Sequence, residues 1–110
     1  MDWQTLLPQM LVAAEKVFQG DWNTIAPYLQ SELTKMEQDV LLIQQMYASG
    51  QMTADECTLY MEMQNNSIKA VLLTVEGVGI LAVDQIINAV LGVIADAVNK
   101  AVGFALIAPF

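Results

Sequence analysis

Residues 71–110 read VLLTVEGVGILAVDQIINAVLGVIADAVNKAVGFALIAPF, with charged side chains only at Glu76, Asp84, Asp96 and Lys100. Nearly every other residue in this stretch is Val, Ile, Leu, Ala or Gly. A helix that is apolar on almost all sides is usually buried on all sides. Because a chain of 110 residues buries roughly 65% of the surface that its unfolded state exposes, we expect these residues to need cover from outside the monomer.

The composition predicts one acidic helical domain, residues 1–110. Hydrophobic residues make up 55% of the chain and charged residues 15%, against about 45–50% and 25% in an average soluble domain. The formal net charge is −8, and the chain has four lysines, no Arg and no His. Because phosphate groups are bound by clustered Lys or Arg, we expect no nucleic-acid partner. The lack of a basic cluster also argues against electrostatic docking on anionic lipid.

No group of residues predicts catalysis or metal binding. Without His, the chain lacks the commonest general base and the commonest transition-metal ligand. Cys57, the only cysteine, has no basic neighbour and is predicted to be a small buried hydrophobic residue. Met61 and Met63 carry soft thioethers, but they point to different faces of a helix, which favours core packing over copper binding. We therefore expect no enzymatic activity, no cofactor and no small-molecule ligand.

Hydrophobic periodicity predicts an all-α fold. A short first helix is expected over residues 5–19, capped by Thr5 and ended by Gly20. A long second helix is expected over residues 24–49, because its apolar residues recur at helical steps of three and four. Those residues are Ile25, Leu29, Leu33, Met36, Val40, Ile43 and Tyr47.

An antiparallel helical hairpin is predicted around residues 50–53. Gly50 favours the left-handed geometry that ends a helix, and Thr53 with Glu56 forms a capping box that begins the next. A third helix over residues 53–76 should therefore pack against the second. Its predicted seam consists of Cys57, Met61, Gln64, Ile68, Val71, Val75 and Val78.

Gly77 and Gly79 leave one helix boundary open. Two glycines inside a helix cost roughly 2 kcal/mol relative to alanine. No proline, capping residue or polar loop follows Gly79, so the favoured interpretation is one continuous or gently bent helix from Thr53 to about Leu106. The alternative is a break at this point, followed by a separate, very apolar C-terminal helix over residues 78–107.

The C-terminal helix is the predicted contact between copies of the chain. The side chains expected at that contact are Ile80, Leu81, Ile86, Ile87, Val90, Leu91, Ile94, Val98, Val102 and Leu106. A polar seam lies on the same helix and consists of Asp84, Gln85, Asn88, Asp96 and Asn99. Three interpretations of this seam stay open: a water-facing edge, a buried seam that sets the register between subunits, and a path for ions or solutes.

The leading functional hypothesis is a structural subunit that assembles into a homo-oligomer or filament by burying its apolar C-terminal helix. A second hypothesis is a membrane-active protein, a pore former or holin-like hairpin, although Asp84, Gln85 and Asn88 would then fall at the bilayer centre. The third is an adaptor whose helix lies in a partner's groove. Because no basic region of a signal peptide is present, a cytoplasmic location is expected by default, with membrane association and leaderless export left open.

Overall fold

The computed structural model describes residues 2–107 and shows a bundle of four helices, with no strand among these residues. They are α1 (Trp3–Val17), α2 (Trp22–Ala48), α3 (Ala54–Leu72) and α4 (Ile80–Val102). Helices α2 and α4 each contact all three other helices, whereas α1 and α3 do not contact each other. In cross-section the bundle is therefore a diamond with α2 and α4 on its short diagonal. The predicted all-α class is confirmed.

Helix α1 begins earlier than predicted, because Asp2 and not Thr5 caps it. The Asp2 carboxylate accepts hydrogen bonds from the Gln4 N–H at 3.1 Å and from the Thr5 hydroxyl at 2.7 Å. The Thr5 hydroxyl and backbone N–H hold the pKa of Asp2 below its ordinary value. The helix ends at Val17, three residues before Gly20.

Helix α2 begins with the same arrangement. The Asp21 carboxylate accepts hydrogen bonds from the Asn23 N–H at 3.1 Å and from the Thr24 hydroxyl at 3.0 Å. Both helices therefore start at the sequence Asp-Trp-x-Thr, with the aspartate satisfying N–H groups that have no partner inside the helix. Helix α2 therefore begins at Trp22, two residues before the predicted start at residue 24.

The predicted α2–α3 hairpin is confirmed. Six of the seven stripe residues of α2, all but Tyr47, are 0% exposed. Gly50 has φ = +77°, in the left-handed region. The Thr53 hydroxyl accepts from the Glu56 N–H at 3.2 Å, and the Glu56 carboxylate accepts from the Thr53 N–H at 3.0 Å, which is the expected capping box.

Helices α3 and α4 are separate, so the favoured prediction of one continuous helix is wrong. Helix α3 ends at Leu72, and α4 begins at Ile80. Between them the backbone reverses at Gly77, whose φ of +84° is a conformation that glycine adopts without steric cost. This break lets α4 fold back against the other three helices, which a straight extension of α3 would not allow.

Helix α4 ends at Val102, five residues before the predicted boundary at 107. Gly103, with φ = +93°, ends it in left-handed geometry. The chain then folds back, and the Asn99 side chain holds Ile107 through two hydrogen bonds. The Asn99 amide donates to the Ile107 carbonyl at 3.0 Å and accepts from the Ile107 N–H at 2.9 Å. Leu106 and Ile107 are buried as a result.

The monomer covers the apolar face of α4 by itself, contrary to the expectation from residues 71–110. Helix α4 is packed by α1, α2 and α3, and its large aliphatic side chains from Val83 to Val102 lie in or against the common core. The accessible surface is 6316 Å², close to the roughly 6,000 Å² of a folded monomer of 12.1 kDa. The fold therefore does not need a second chain to bury its core.

Candidate interaction surface

The predicted contact residues of α4 separate into two groups. Eight are 0–8% exposed inside the monomer: Ile86, Ile87, Val90, Leu91, Ile94, Val98, Val102 and Leu106. Ile80 and Leu81 are 69% and 72% exposed. The eight buried residues form the core between α4 and its neighbours, so a second copy cannot reach them while the bundle is folded. The break at Gly77 turns these residues inward, so the folded monomer buries them by itself, and a contact between copies through them stays a prediction.

The polar seam lies mainly on the outward side of α4. Gln85, Asn88 and Asp96 are exposed, which agrees with a water-facing edge in the monomer. Asp84 is half-buried, and its carboxylate is 3.2 Å from the Lys69 ammonium of α3. Asn99 is also half-buried and holds the chain end as described above. Asp96 and Lys100, spaced to pair along the helix, form no salt bridge within residues 2–107.

A shallow groove runs between α1 and α4, and we call it the α1–α4 groove. It consists of two adjoining hollows of about 560 and 450 Å³ that share Lys16. Its lining residues are Pro8, Gln9, Val12, Ala13, Lys16, Val17, Gln19, Gln85, Asn88, Ala89 and Val93. Lys16 is the only charged residue among them, although the chain as a whole carries a net charge of −8.

Gly92 lies on the outward side of α4, next to this groove. It is exposed, and a Cβ atom built on it would meet no heavy atom within 4 Å. Its backbone is ordinary helix, so neither a left-handed conformation nor a close contact inside the monomer requires glycine here. A glycine in a helix interior costs roughly 1 kcal/mol relative to alanine. The folded monomer offers no compensation for that cost.

The opposite side of the bundle is acidic. Six carboxylates lie on α2 and α3: Glu32, Glu37, Asp39, Asp55, Glu56 and Glu62. Glu32 is 4% exposed, and its carboxylate lies 2.8 Å from the Lys35 ammonium. Burial raises the pKa of Asp39, in part offset by the hydrogen bond from the Tyr60 hydroxyl at 3.4 Å. The α2–α3 side is therefore strongly acidic, whereas the α1–α4 groove is nearly uncharged.

Three further polar or titratable groups are buried inside the bundle. Cys57 is 0% exposed, which confirms the predicted small core residue, and burial raises the pKa of its thiol. Trp3 Nε1 and Asn65 Oδ1 are buried without a hydrogen-bond partner in the described chain. Within residues 2–107, no group of three His, Cys, Asp or Glu side chains is placed to hold a metal ion.

Helix α4 is long and apolar enough to cross a membrane, with 23 residues and a mean hydropathy of 1.7 over its most apolar window. In the bundle its large side chains from Val83 to Val102 lie in or against the core that it shares with the other helices. A core helix of a water-soluble bundle has the same length and composition, so this property alone does not separate the two environments.

The sequence interpretation missed the groove because it selected the largest aliphatic residues of α4. Apart from Lys16, the groove is built instead from uncharged residues, and its α1 half, from Pro8 to Gln19, was given no role beyond forming the first helix. The one sequence signal for the outward side was the row of polar residues in the seam. No protein-family model, no curated protein and no solved structure matches this chain.

Proposed function

We propose that this chain is a structural subunit that associates with a second copy of itself through the outward side of α4 and the α1–α4 groove. The observation that supports this proposal is Gly92. It is an exposed helical glycine that lowers helix stability and that no contact inside the monomer requires. The absence of a side chain permits close approach of another backbone. Contact with a second helix that crosses at Gly92 would therefore explain why glycine stands at this position.

The sequence of α4 is self-complementary about this glycine. In an antiparallel two-fold contact centred on residue 92, paired positions add up to 184, so Asn88 faces Asp96 of the second copy (88 + 96 = 184). By the same rule, Asp84, whose carboxylate is 3.2 Å from the Lys69 ammonium in the monomer, lies level with Lys100 of the second copy (84 + 100 = 184). An amide can donate to a carboxylate, and the second pair has opposite charges. Each pair occurs twice, as a two-fold interface requires.

The charge distribution also favours a contact between copies through the α1–α4 side of the molecule. Two copies of a chain with net charge −8 repel each other, and contact through α2 or α3 would bring carboxylates together. The α1–α4 groove has only Lys16 among its lining residues as a charge, so contact there avoids that repulsion. Val12, which is 53% exposed, and Val93 add apolar area to the contact.

This contact differs from the one predicted from the sequence. The buried aliphatic residues of α4, such as Ile86 and Ile94, stabilise the monomer, and the proposed surface between copies consists mainly of small and polar residues, together with Val12 and Val93. A two-fold contact of this kind closes at two copies, so the proposal is a dimer and not a filament. The polar seam then sets the register, as a buried amide does in coiled coils.

Cysteine crosslinking tests the proposal directly. A residue on a two-fold axis meets its own copy, so the Gly92→Cys protein should form an intermolecular disulfide, which needs Cβ atoms roughly 4 Å apart. Gln38→Cys, on the exposed side of α2, is the matched control and should stay monomeric. Cys57 is buried and should not interfere. Equal crosslinking of the two variants would contradict the proposed contact.

Light scattering of the unmodified chain gives the second readout. We expect a concentration-dependent molar mass that rises towards two copies, and Gly92→Glu should reduce it to one copy because two carboxylates would meet on the axis. The variant should remain folded by circular dichroism, since the added side chain points into open space. If the unmodified chain keeps the molar mass of one copy at high concentration, the proposal is overturned.

Membrane association is the second candidate, favoured by the length and hydropathy of α4. In this case α4 would leave the bundle and exchange its contacts with α1, α2 and α3 for lipid. Flotation with vesicles followed by proteolysis separates this candidate from the first. A spanning α4 should be protected while α1 to α3 become cleavable, whereas a water-soluble dimer should remain with the unbound fraction.

A further inference from the structure

We propose that Lys16 on α1 forms an ion pair with Asp96 of the second copy, and that this pair selects a second copy of this chain as the partner. The inference rests on the proposed dimer, to which it adds a pair of opposite charges across the contact. By two-fold symmetry the pair forms twice, once in each direction. The inference can fail while the contact at Gly92 stands, because Gly92 lets the two backbones approach without either charge.

Lys16 and Asp96 are exposed and form no salt bridge within residues 2–107. The salt bridges of that part of the chain use the ammonium groups of Lys35 and Lys69. Asp96 also stays apart from Lys100, although their spacing along α4 is favourable for pairing. Exposed charged residues are the norm on a protein surface, so the informative property of these two is their position relative to the proposed two-fold axis.

The proposed axis brings Asp96 of the second copy to the level of Lys16. Lys16 and Asn88 line the same hollow, of about 560 Å³, where the last turn of α1 meets α4. Asn88, Gly92 and Asp96 are spaced four residues apart and therefore lie on one side of α4. Because Asn88 faces Asp96 of the second copy, the incoming carboxylate arrives at the hollow beside Lys16. The flexible four-carbon stem of the lysine can carry its ammonium to that carboxylate.

The hollow beside Lys16 offers an incoming carboxylate hydrogen-bond donors and no competing negative charge. Gln19, Gln85 and Asn88 add side-chain amides next to the ammonium, and no Asp or Glu lines the hollow. Glu15, the sequence neighbour of Lys16, lines neither hollow of the α1–α4 groove. A second helix over the groove also shields the pair from water. An ion pair that is shielded and surrounded by donors is stronger than one on an open surface.

The pair also selects one register of the two α4 helices. A slide of one helical turn would bring either Lys100 or Gly92 of the second copy to the level of Lys16. Two ammonium groups repel each other in the first case, and in the second case the lysine has no partner. The cation on α1 and the anion on α4 of the same chain therefore make this surface complementary to itself. That complementarity favours a second copy over an unrelated protein.

An exchange of the two charges between variants tests the inference by light scattering. Lys16→Glu and Asp96→Lys should each weaken dimerisation roughly tenfold or more, because each homodimer then contains two pairs of like charge. In an equal mixture of the two variants, the introduced glutamate meets the introduced lysine, and the unchanged lysine meets the unchanged aspartate. Dimerisation of the mixture should therefore recover to that of the unmodified chain. Recovery also shows that both variants are folded.

The matched control is Gln30→Glu/Gln38→Glu, which changes the net charge as much as Lys16→Glu does but on the exposed side of α2. The control should dimerise nearly as the unmodified chain does, and equal weakening would assign the effect to net charge and overturn the inference. A mixture that does not recover would also overturn it. If both charge variants remain dimeric while Gly92→Cys still crosslinks, the ion pair is wrong and the dimer stands. An unmodified chain that stays monomeric overturns both.

Discussion

Replacing Ile94 by alanine tests whether α4 belongs to the core of the monomer. Ile94 is 0% exposed, and α4 is packed by all three other helices. The substitution removes three carbon atoms, which corresponds to about 2.4 kcal/mol of transfer free energy at ~0.8 kcal/mol per carbon. The cavity left behind adds roughly 1 kcal/mol, because surrounding helices relax only in part. We therefore expect the free energy of unfolding to fall by about 3–4 kcal/mol.

The matched control is Ile80→Ala, the same substitution in the same helix at a side chain that is 69% exposed. It should change the free energy of unfolding by less than about 0.5 kcal/mol. Urea denaturation at two protein concentrations measures both, in the Gly92→Glu background so that association does not contribute. A loss below about 1 kcal/mol for Ile94→Ala, or one that changes with protein concentration, would place Ile94 between chains and refute the reasoning.

Four further predictions concern single side chains. Gly92→Ala should stabilise the monomer by about 1 kcal/mol in urea denaturation while weakening the dimer in light scattering; a gain with unchanged dimerisation would count against the contact. Thr53→Ala should cost about 1 kcal/mol by the same denaturation assay, through loss of the capping box. Asn99→Ala should cost about 1–3 kcal/mol and increase hydrogen exchange at the Ile107 amide, which loses its acceptor. Burial raises the pKa of Asp39, so the folded state binds its proton more tightly than the unfolded state does. Asp39→Asn should therefore raise stability at pH 7, and the gain should vanish below the ordinary pKa of 3.8; an equal gain at both pH values would contradict this account.

The α2–α3 hairpin was predictable from sequence because its signals are local. The stripe from Ile25 to Ile43 follows the helical repeat, and Gly50 and Thr53 carry the chemistry that ends and begins a helix. The helix starts at Asp2 and Asp21 were equally local but were missed. For the first helix, Thr5 offered a competing cap, and in both helices the threonine hydroxyl donates to the aspartate in the structure.

The placement of α4 could not be predicted from its composition, because the prediction counted Ala and Gly as apolar surface that needs cover. Its large side chains, such as Ile86, Val90, Ile94 and Val98, fall on one side of the helix and fill the core. The small residue Gly92 falls on the other side and leaves little area to cover. The break at Gly77 is equally hard to read from sequence, because its benefit lies in contacts between α4 and distant helices.

The buried position of the large aliphatic residues of α4 changes where a partner should be sought. Once the bundle has buried its large aliphatic residues, any further contact must be made by the side chains that remain outside, and on α4 these are mostly small or polar. Association through such a surface gains less from apolar area and more from close backbone approach and paired polar groups. A glycine that costs the monomer stability is therefore more informative about a partner than the apolar residues around it. On this chain that glycine is Gly92, and its contact with the same residue of a second copy is the specific arrangement that the Gly92→Cys crosslink can accept or reject.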